Sequence, residues 1–418
     1  MLVFAVFLVI AGVVLLSFTT RTIILVCAFY CCYGLITVLL PGVIPAFGMF
    51  TIYRFLYLIL LLSLVVNLIR VKHFAVCIQH WSLVTYLAVI FIFLASSVYS
   101  SSSKLLSIDD PSSLLSRLVV MSLFWMAAGQ IQDAQDLRIF AWATALTSVV
   151  LSAWVIWTAG QSDFATQRGG VLINENYVST FILAGALPAV DTAFVQRNNL
   201  LRCAALAGLL PMIFASLILA SRGMVVAAFM AATVIIVGRR RAFDSKRIGL
   251  ISVILLLVLG AVLFLPGGAN LLLRFEADDI ATMNERVGIW SLSLNHFAGG
   301  SLLGMLFGQG LSSAAIVINP RMPGYENFHS MYLQWLMEQG LLGLAIFILF
   351  LYSVSRTIFR STHPLRNVMV GWLAYLLVAG MTATISDLHF FWITLGVTIG
   401  VSAMSQRPST ISPCLESK

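Results

Sequence analysis

Three basic residues of the chain border long apolar runs, where a charged side chain is costly unless it is solvated or paired. Arg222 lies between two such runs, Arg286 stands in a polar segment, and His329 precedes a further run. A guanidinium group forms paired hydrogen bonds with phosphate oxygens, and imidazole is the usual general base near neutral pH. These residues are therefore candidates for anion binding and proton transfer.

The four-residue spacing of Arg286 and Trp290 places both side chains on one face of a helix. This pair suits a phosphate attached to a sugar, because the guanidinium binds phosphate oxygens and an indole ring stacks on a sugar. Further candidates for substrate binding are polar or aromatic residues beside the same apolar runs: Arg168, Asn174, Asn176, Arg274 and Tyr332.

Each candidate also has a structural interpretation. Arg222 could be an interfacial anchor that extends its charge into water, Arg286 could form a structural ion pair, and His329 could be a hydrogen-bonded structural residue. Asn174 or Asn176 could cap the N-terminus of the helix that follows them. The residues alone leave these alternatives open.

The composition determines which kind of fold must position these residues. Of the 418 residues, 60% are hydrophobic and only 10% are charged, and the mean hydropathy is +1.00. About a quarter of the residues of a soluble domain are charged, so the low charged fraction excludes a soluble enzyme. The high apolar content excludes a disordered chain. Continuous apolar runs such as residues 248–265 also exclude the short alternating strands of a membrane β-barrel. The sequence predicts an all-α, polytopic transmembrane bundle.

Apolar runs of roughly 20 residues predict the membrane-spanning helices. Thirteen are predicted, near residues 2–18, 22–40, 51–69, 75–97, 114–129, 139–159, 177–194, 203–220, 223–238, 248–265, 332–354, 367–385 and 390–405. The first is expected to be a retained span rather than a cleaved signal peptide. The net charge is +8, and the lysine and arginine residues lie mainly in short polar breaks between apolar runs, such as residues 239–247. This distribution is typical of cytoplasmic loops and not of a nucleic-acid site. Arg222, Arg286 and His329 then lie on the opposite side of the membrane.

One long polar segment divides the predicted helices. We expect N-terminal transmembrane helices in residues 1–265, a large loop in 266–331, C-terminal transmembrane helices in 332–405 and a cytoplasmic tail in 406–418. Apolar residues within the loop predict short amphipathic helices that lie on the membrane surface or cover a cavity. Neither a phosphate loop nor a zinc-ligand spacing occurs, so no cofactor and no metal are expected.

The chain resembles the O-antigen ligase/polymerase superfamily of bacterial envelope glycosyltransferases. The resemblance rests on the order of several motifs: Asn174 and Asn176 before one span, Ser221-Arg222-Gly223, Arg286 with Trp290, His329 with Tyr332 and Leu333, and Glu338 with Gly340 and Gly343. Ser330 departs from the asparagine that many members carry after the histidine.

The resemblance implies transfer of a glycan from an undecaprenyl-diphosphate donor to a sugar hydroxyl on the periplasmic face of the inner membrane. Arg222 and Arg286 would stabilise charge on the diphosphate, with Arg168 and Arg274 as weaker candidates for the same role. His329 would accept the proton of the attacking hydroxyl.

Two reactions share this chemistry. A polymerase uses another lipid-linked glycan as acceptor, whereas a ligase uses the lipid A-core. We favour the polymerase, because acceptors and sequences vary more widely among polymerases, and a chain-length regulator is then a possible partner. The alternative from another class is a transporter of lipid-linked oligosaccharides. Transporters usually carry ionisable groups near the middle of the membrane, often in repeated halves, whereas the candidates here lie on one side.

Overall fold

The structure is a computed structural model that describes residues 22–39, 52–70, 80–99, 114–131, 133, 135–159, 175–196, 198–219, 221–238, 286–311, 313–322 and 327–405. Every regular element in these ranges is a helix. The helices are α1 Ile23–Leu39, α2 Ile52–Arg70, α3 His80–Tyr99, α4 Leu114–Gly129, α5 Asp136–Ala159, α6 Glu175–Val195, α7 Asn199–Leu219, α8 Arg222–Gly238, α9 Arg286–Ala298, α10 Leu302–Phe307, α11 Ser313–Val317, α12 Met331–Arg360, α13 Arg366–Thr382, a short 3₁₀-helix Ile385–Asp387 and α14 His389–Ser405.

The predicted all-α bundle is confirmed. Helices α1–α8 and α12–α14 coincide with eleven of the thirteen predicted spans, and the other two, residues 2–18 and 248–265, lie outside the described residues. Within the described ranges, α5, α6, α7 and α12 are long and apolar enough to cross a membrane, and shorter apolar segments are found in α2, α3, α4, α8 and α14. Large apolar side chains on the bundle surface, such as Phe91 and Leu146, are exposed, as expected for contact with lipid.

Helix α14 forms the centre of the bundle. All of its residues from Phe390 to Ala403 are buried, and α4 packs along it. Its aromatic side chains join those of neighbouring helices, since Trp392 stacks on Phe350 of α12 with ring centroids 6.0 Å apart. The apolar composition of α14 thus reflects burial on every side rather than one lipid-facing surface.

One end of the bundle gathers the residues that the sequence singled out. Helices α4, α6, α8 and α12 begin there, and α3 and α13 end there, as shown by hydrogen bonds between them. The Ser96 hydroxyl at the end of α3 donates to the carbonyl of Glu338 over 2.7 Å, and the amide of Met331 donates to the carbonyl of Ala383 over 3.1 Å. We call this end the loop end, because α9–α11 lie against the first turns of α12.

The short helices predicted in the long loop are present as α9, α10 and α11. They have a small apolar core of their own, which includes the fully buried side chain of Ile289 and is shared with Phe328 and with Met337 of α12. This core fixes the described part of the loop on the bundle, because apolar contacts would be lost if the loop separated from α12. Residues 266–285, where Arg274 falls, lie outside the described residues.

Helix α12 is interrupted at Gly340, whose φ of 72° lies in the left-handed region. The break frees the carbonyls of Met337 and Glu338, which accept hydrogen bonds from the amides of Gln309 and Gly310 over 2.8 and 3.0 Å. A Cβ atom at Gly340 would meet the carbonyl oxygen of Leu306 at 2.3 Å. The loop and the broken helix therefore meet backbone to backbone.

We expect Gly340→Ala to destabilise the protein by about 3 kcal/mol or more, because alanine adds both left-handed strain and a clash with backbone. Thermal unfolding of the purified protein in detergent would measure the loss. Gly208→Ala in α7 is the matched control, since its Cβ would meet nothing closer than 3.4 Å. Equal melting temperatures for the two variants would contradict this account of the break.

Candidate functional site

The structure brings Arg222, Arg286 and His329 together at the loop end. Arg222 is the first residue of α8, Arg286 is the first residue of α9, and His329 lies two residues before α12. All three side chains are half-buried. Each therefore stands at the start of a different helix, so three independent packing arrangements converge on one polar site.

The two arginines are close enough to repel each other. Burial lowers the pKa of Arg286, and the neighbouring charge of Arg222 lowers it further. Among the described residues, no carboxylate lies within ion-pair distance of Arg286. Because two adjacent guanidinium groups repel each other, a bound anion would relieve this repulsion.

The charge of Arg286 also acts on His329. Burial lowers the pKa of His329, and the positive charge of Arg286 contributes, so that the pKa falls to about 4. The imidazole is therefore neutral near pH 7 and able to accept a proton. An anion bound between the arginines would offset their effect and make the imidazole a stronger base.

The backbone at His329 is unusual, because its φ of 50° is left-handed in a residue with a side chain. The amide of His329 donates to Oδ1 of Asn327 over 3.0 Å. The next residue, Ser330, caps α12 by accepting a hydrogen bond from the amide of Leu333 over 3.4 Å. Serine is among the best helix-capping residues, so Ser330 has a hydrogen-bonding role at the start of α12.

Two aromatic candidates use their polar atoms within the protein. The indole N–H of Trp290 donates to the carbonyl of Phe328 over 3.1 Å, and the hydroxyl of Tyr332 donates to the carbonyl of Leu377 over 2.9 Å. Both side chains also line an apolar groove of about 310 Å³ beside His329, together with Leu294, Ser330, Leu333, Leu336, Leu344 and Met381. They offer ring surface rather than free donors to a ligand.

Asn176 connects α6 to the arginine site. Helix α6 begins at Glu175, so Asn176 lies inside its first turn and is not the N-cap. Its Oδ1 accepts a hydrogen bond from the hydroxyl of Ser221 over 2.7 Å, directly before Arg222. Arg168, Asn174 and Arg274, the remaining predicted site residues, lie outside the described residues.

A buried charge cluster at the loop end was missed by the sequence analysis. Arg117 of α4 forms ion pairs with Asp387 and with Glu338, the latter over 3.4 Å. Gln334 donates to both carboxylates, over 3.1 Å to Asp387 and 3.3 Å to Glu338. The cluster ties α4, α12 and the 3₁₀-helix together behind His329. Arg117 stands inside an apolar run. Its position near the outer end of the predicted span 114–129 is the one sequence signal that could have indicated a functional or structural role.

A separate cavity of about 560 Å³ lies at the opposite end of the bundle, between α5, α6, α7 and the start of α13. Its walls are mainly apolar and carry none of the candidate residues. Although it is larger than the groove beside His329, the convergence of charged groups makes the loop end the better candidate for chemistry.

Residues 207–348 match a protein family described as O-antigen ligase. In this segment the chain resembles the O-antigen ligase/polymerase superfamily. The matched segment contains Arg222, Arg286, His329 and the break at Gly340, so the match covers the clustered residues themselves. No curated protein matches the chain. The match supports the resemblance predicted from the motifs, and the apolar helices support a multi-pass membrane protein.

We expect Arg117→Ala to lower the free energy of unfolding by about 3–5 kcal/mol, because it leaves the carboxylates of Glu338 and Asp387 without their cation. Arg138→Ala, at an exposed arginine near the start of α5, is the control and should change stability by less than about 0.5 kcal/mol. Denaturant unfolding in detergent would compare the two variants. Equal stability would show that the cluster contributes nothing to the fold.

Proposed function

We propose that the protein transfers a glycan from an undecaprenyl-diphosphate donor to a sugar hydroxyl on the periplasmic face of the bacterial inner membrane. The observation that carries the proposal is the convergence of Arg222, Arg286 and His329 at the loop end. The donor supplies the anion that two adjacent arginines favour, and the acceptor supplies the proton that a neutral imidazole can take.

The diphosphate is the leaving group of this reaction. As the bond between the anomeric carbon and the phosphate oxygen breaks, negative charge grows on the diphosphate, and the two guanidinium groups stabilise it. Because they are held in place by helix starts, they need no reorganisation during the reaction. Arg168 and Arg274 are proposed as further contacts to the same anion, and Asn174 and Asn176 as contacts to the sugars.

The acceptor hydroxyl attacks the anomeric carbon while His329 removes its proton. Attack on the side opposite the diphosphate inverts the anomeric centre. The apolar groove lined by Trp290 and Tyr332 is suited to the first part of the polyprenyl tail, since it lies beside His329 and offers almost no polar surface. Membrane lipids surround the rest of the tail. No metal ion is required in this scheme.

The polymerase is our proposed activity, with a second lipid-linked glycan as acceptor and a chain-length regulator as a possible partner. The second candidate is the ligase, which transfers the finished polymer to lipid A-core and is favoured by the description of the matched family. Lipopolysaccharide from a strain that lacks the gene separates the two. A core with a single repeat indicates a polymerase, whereas a bare core with polymer retained on the lipid carrier indicates a ligase.

We expect His329→Ala to reduce turnover by about 10²–10⁴-fold while the donor still binds, because a general base contributes in that range. Arg286→Ala should reduce turnover by about 10²–10³-fold, through loss of charge stabilisation. Glycan transfer by the purified protein and binding of extracted lipid-linked glycan would be measured together. Full glycan assembly by both variants would exclude the catalytic assignment and favour a transporter.

The pH dependence of kcat/KM gives an independent test of His329. Because its pKa is lowered to about 4, the imidazole stays neutral as the pH falls from 8 to 5, and the acidic limb attributable to His329 should lie near pH 4. Arg286→Gln removes the positive charge that lowers the pKa of His329, so that limb should move towards higher pH. A wild-type limb at pH 6.5 would contradict the buried, positively charged setting of His329.

A further inference from the structure

The hydrogen bond of Trp290 is directed at the backbone beside His329. Its indole N–H donates to the carbonyl of Phe328 over 3.1 Å, and the side chain of Phe328 is itself almost fully buried in the small core of the loop. The peptide group before His329 is therefore fixed by a side chain of α9 on one side and by apolar packing on the other.

This constraint coincides with the left-handed backbone of His329. A residue with a side chain leaves that conformation readily, unless the surrounding structure determines it. Among the described residues, three contacts act on this backbone: the indole bond to Phe328, the bond from the amide of His329 to Asn327, and the cap of α12 by Ser330. Of these three, the indole bond comes from a different helix.

We propose that Trp290 is a positioning residue that fixes the imidazole of His329 relative to the guanidinium of Arg286. This inference rests on the proposed function of His329 as general base. Arg286 and Trp290 are one helical turn apart on α9, so one rigid segment carries both an anion-binding group and the group that holds the base. Ile289, fully buried between them, anchors α9 in the shared core.

The chemical reason for such a device is the geometry of the reaction. The base must reach the acceptor proton while the arginines reach the diphosphate, and errors of about 1 Å in such placement reduce rates on the order of 10²-fold. Stacking of the ring on a sugar would require no bond to Phe328. The two roles therefore differ in which atom of Trp290 matters.

The test is Trp290→Phe in the full-length protein in nanodiscs, with lipid-linked glycans extracted from a strain lacking the gene as substrate. We expect kcat to fall by about 10- to 100-fold and KM for the donor to change by less than about twofold, because phenylalanine keeps an aromatic surface in the groove but cannot donate the hydrogen bond to Phe328. Asn327→Ala should lower kcat in the same way. The fall in kcat of the double variant should be smaller than the product of the two single fold-changes, because both residues act on the same backbone.

Trp142→Phe is the matched control, since this tryptophan of α5 is 50% exposed and lines the cavity at the opposite end, and it should retain wild-type kcat. If Trp290→Phe fails to fold, a tryptophan analogue with sulfur in place of the indole N–H keeps the ring shape, and the same fall in kcat is expected.

Two results would overturn the inference: unchanged kcat in the variant that lacks the N–H, or a raised KM with unchanged kcat, which indicates sugar stacking. His329→Ala separates this failure from failure of the proposed function. An inactive His329→Ala beside a fully active Trp290→Phe refutes only the positioning role. A fully active His329→Ala refutes the general base itself.

Discussion

The break in α12 at Gly340 is the constraint on which the loop end depends. A continuous helix would satisfy the carbonyls of Met337 and Glu338 internally. Because the helix is interrupted, these carbonyls bind the chain that follows α10, and the loop is attached to the bundle through backbone hydrogen bonds. The segment of α12 before the break begins two residues after His329 and carries the buried side chain of Glu338 near its end. The break therefore attaches the loop to the segment of α12 that lies between these two residues of the polar clusters.

The two polar clusters at the loop end differ in their charges: one contains opposite charges in ion pairs, and the other contains two adjacent positive charges. The cluster of Arg117, Glu338 and Asp387 is internally paired and joins helices that are distant in sequence. In the cluster of Arg222, Arg286 and His329, by contrast, two like charges lie close together, and burial and the charge of Arg222 both lower the pKa of Arg286. Perturbed pKa values of this kind are concentrated at functional sites.

Much of the architecture could be predicted from the sequence, because hydropathy reports directly which segments cross a membrane. The side of the membrane assigned to Arg222, Arg286 and His329 was enough to predict that they meet. Arg117 could not be connected with Asp387 in this way, because the contact spans 270 residues and depends on how α4 packs against α14. The break at Gly340 was also hidden, since an apolar run has the same hydropathy whether its helix is straight or interrupted. The four-residue spacing placed Trp290 beside Arg286 but could not predict that the indole N–H of Trp290 donates to the carbonyl of Phe328.

The apolar groove beside His329 has a consequence for donor selection in the proposed reaction. A polyprenyl tail that entered this groove would come from lipid that is already as apolar as the groove walls, so the transfer would release little free energy, unlike the burial of the same surface from water. A groove of about 310 Å³ also holds only a short part of a long tail. Tail length should therefore contribute little to discrimination between donors, and selection falls to the polar groups that begin where the membrane ends.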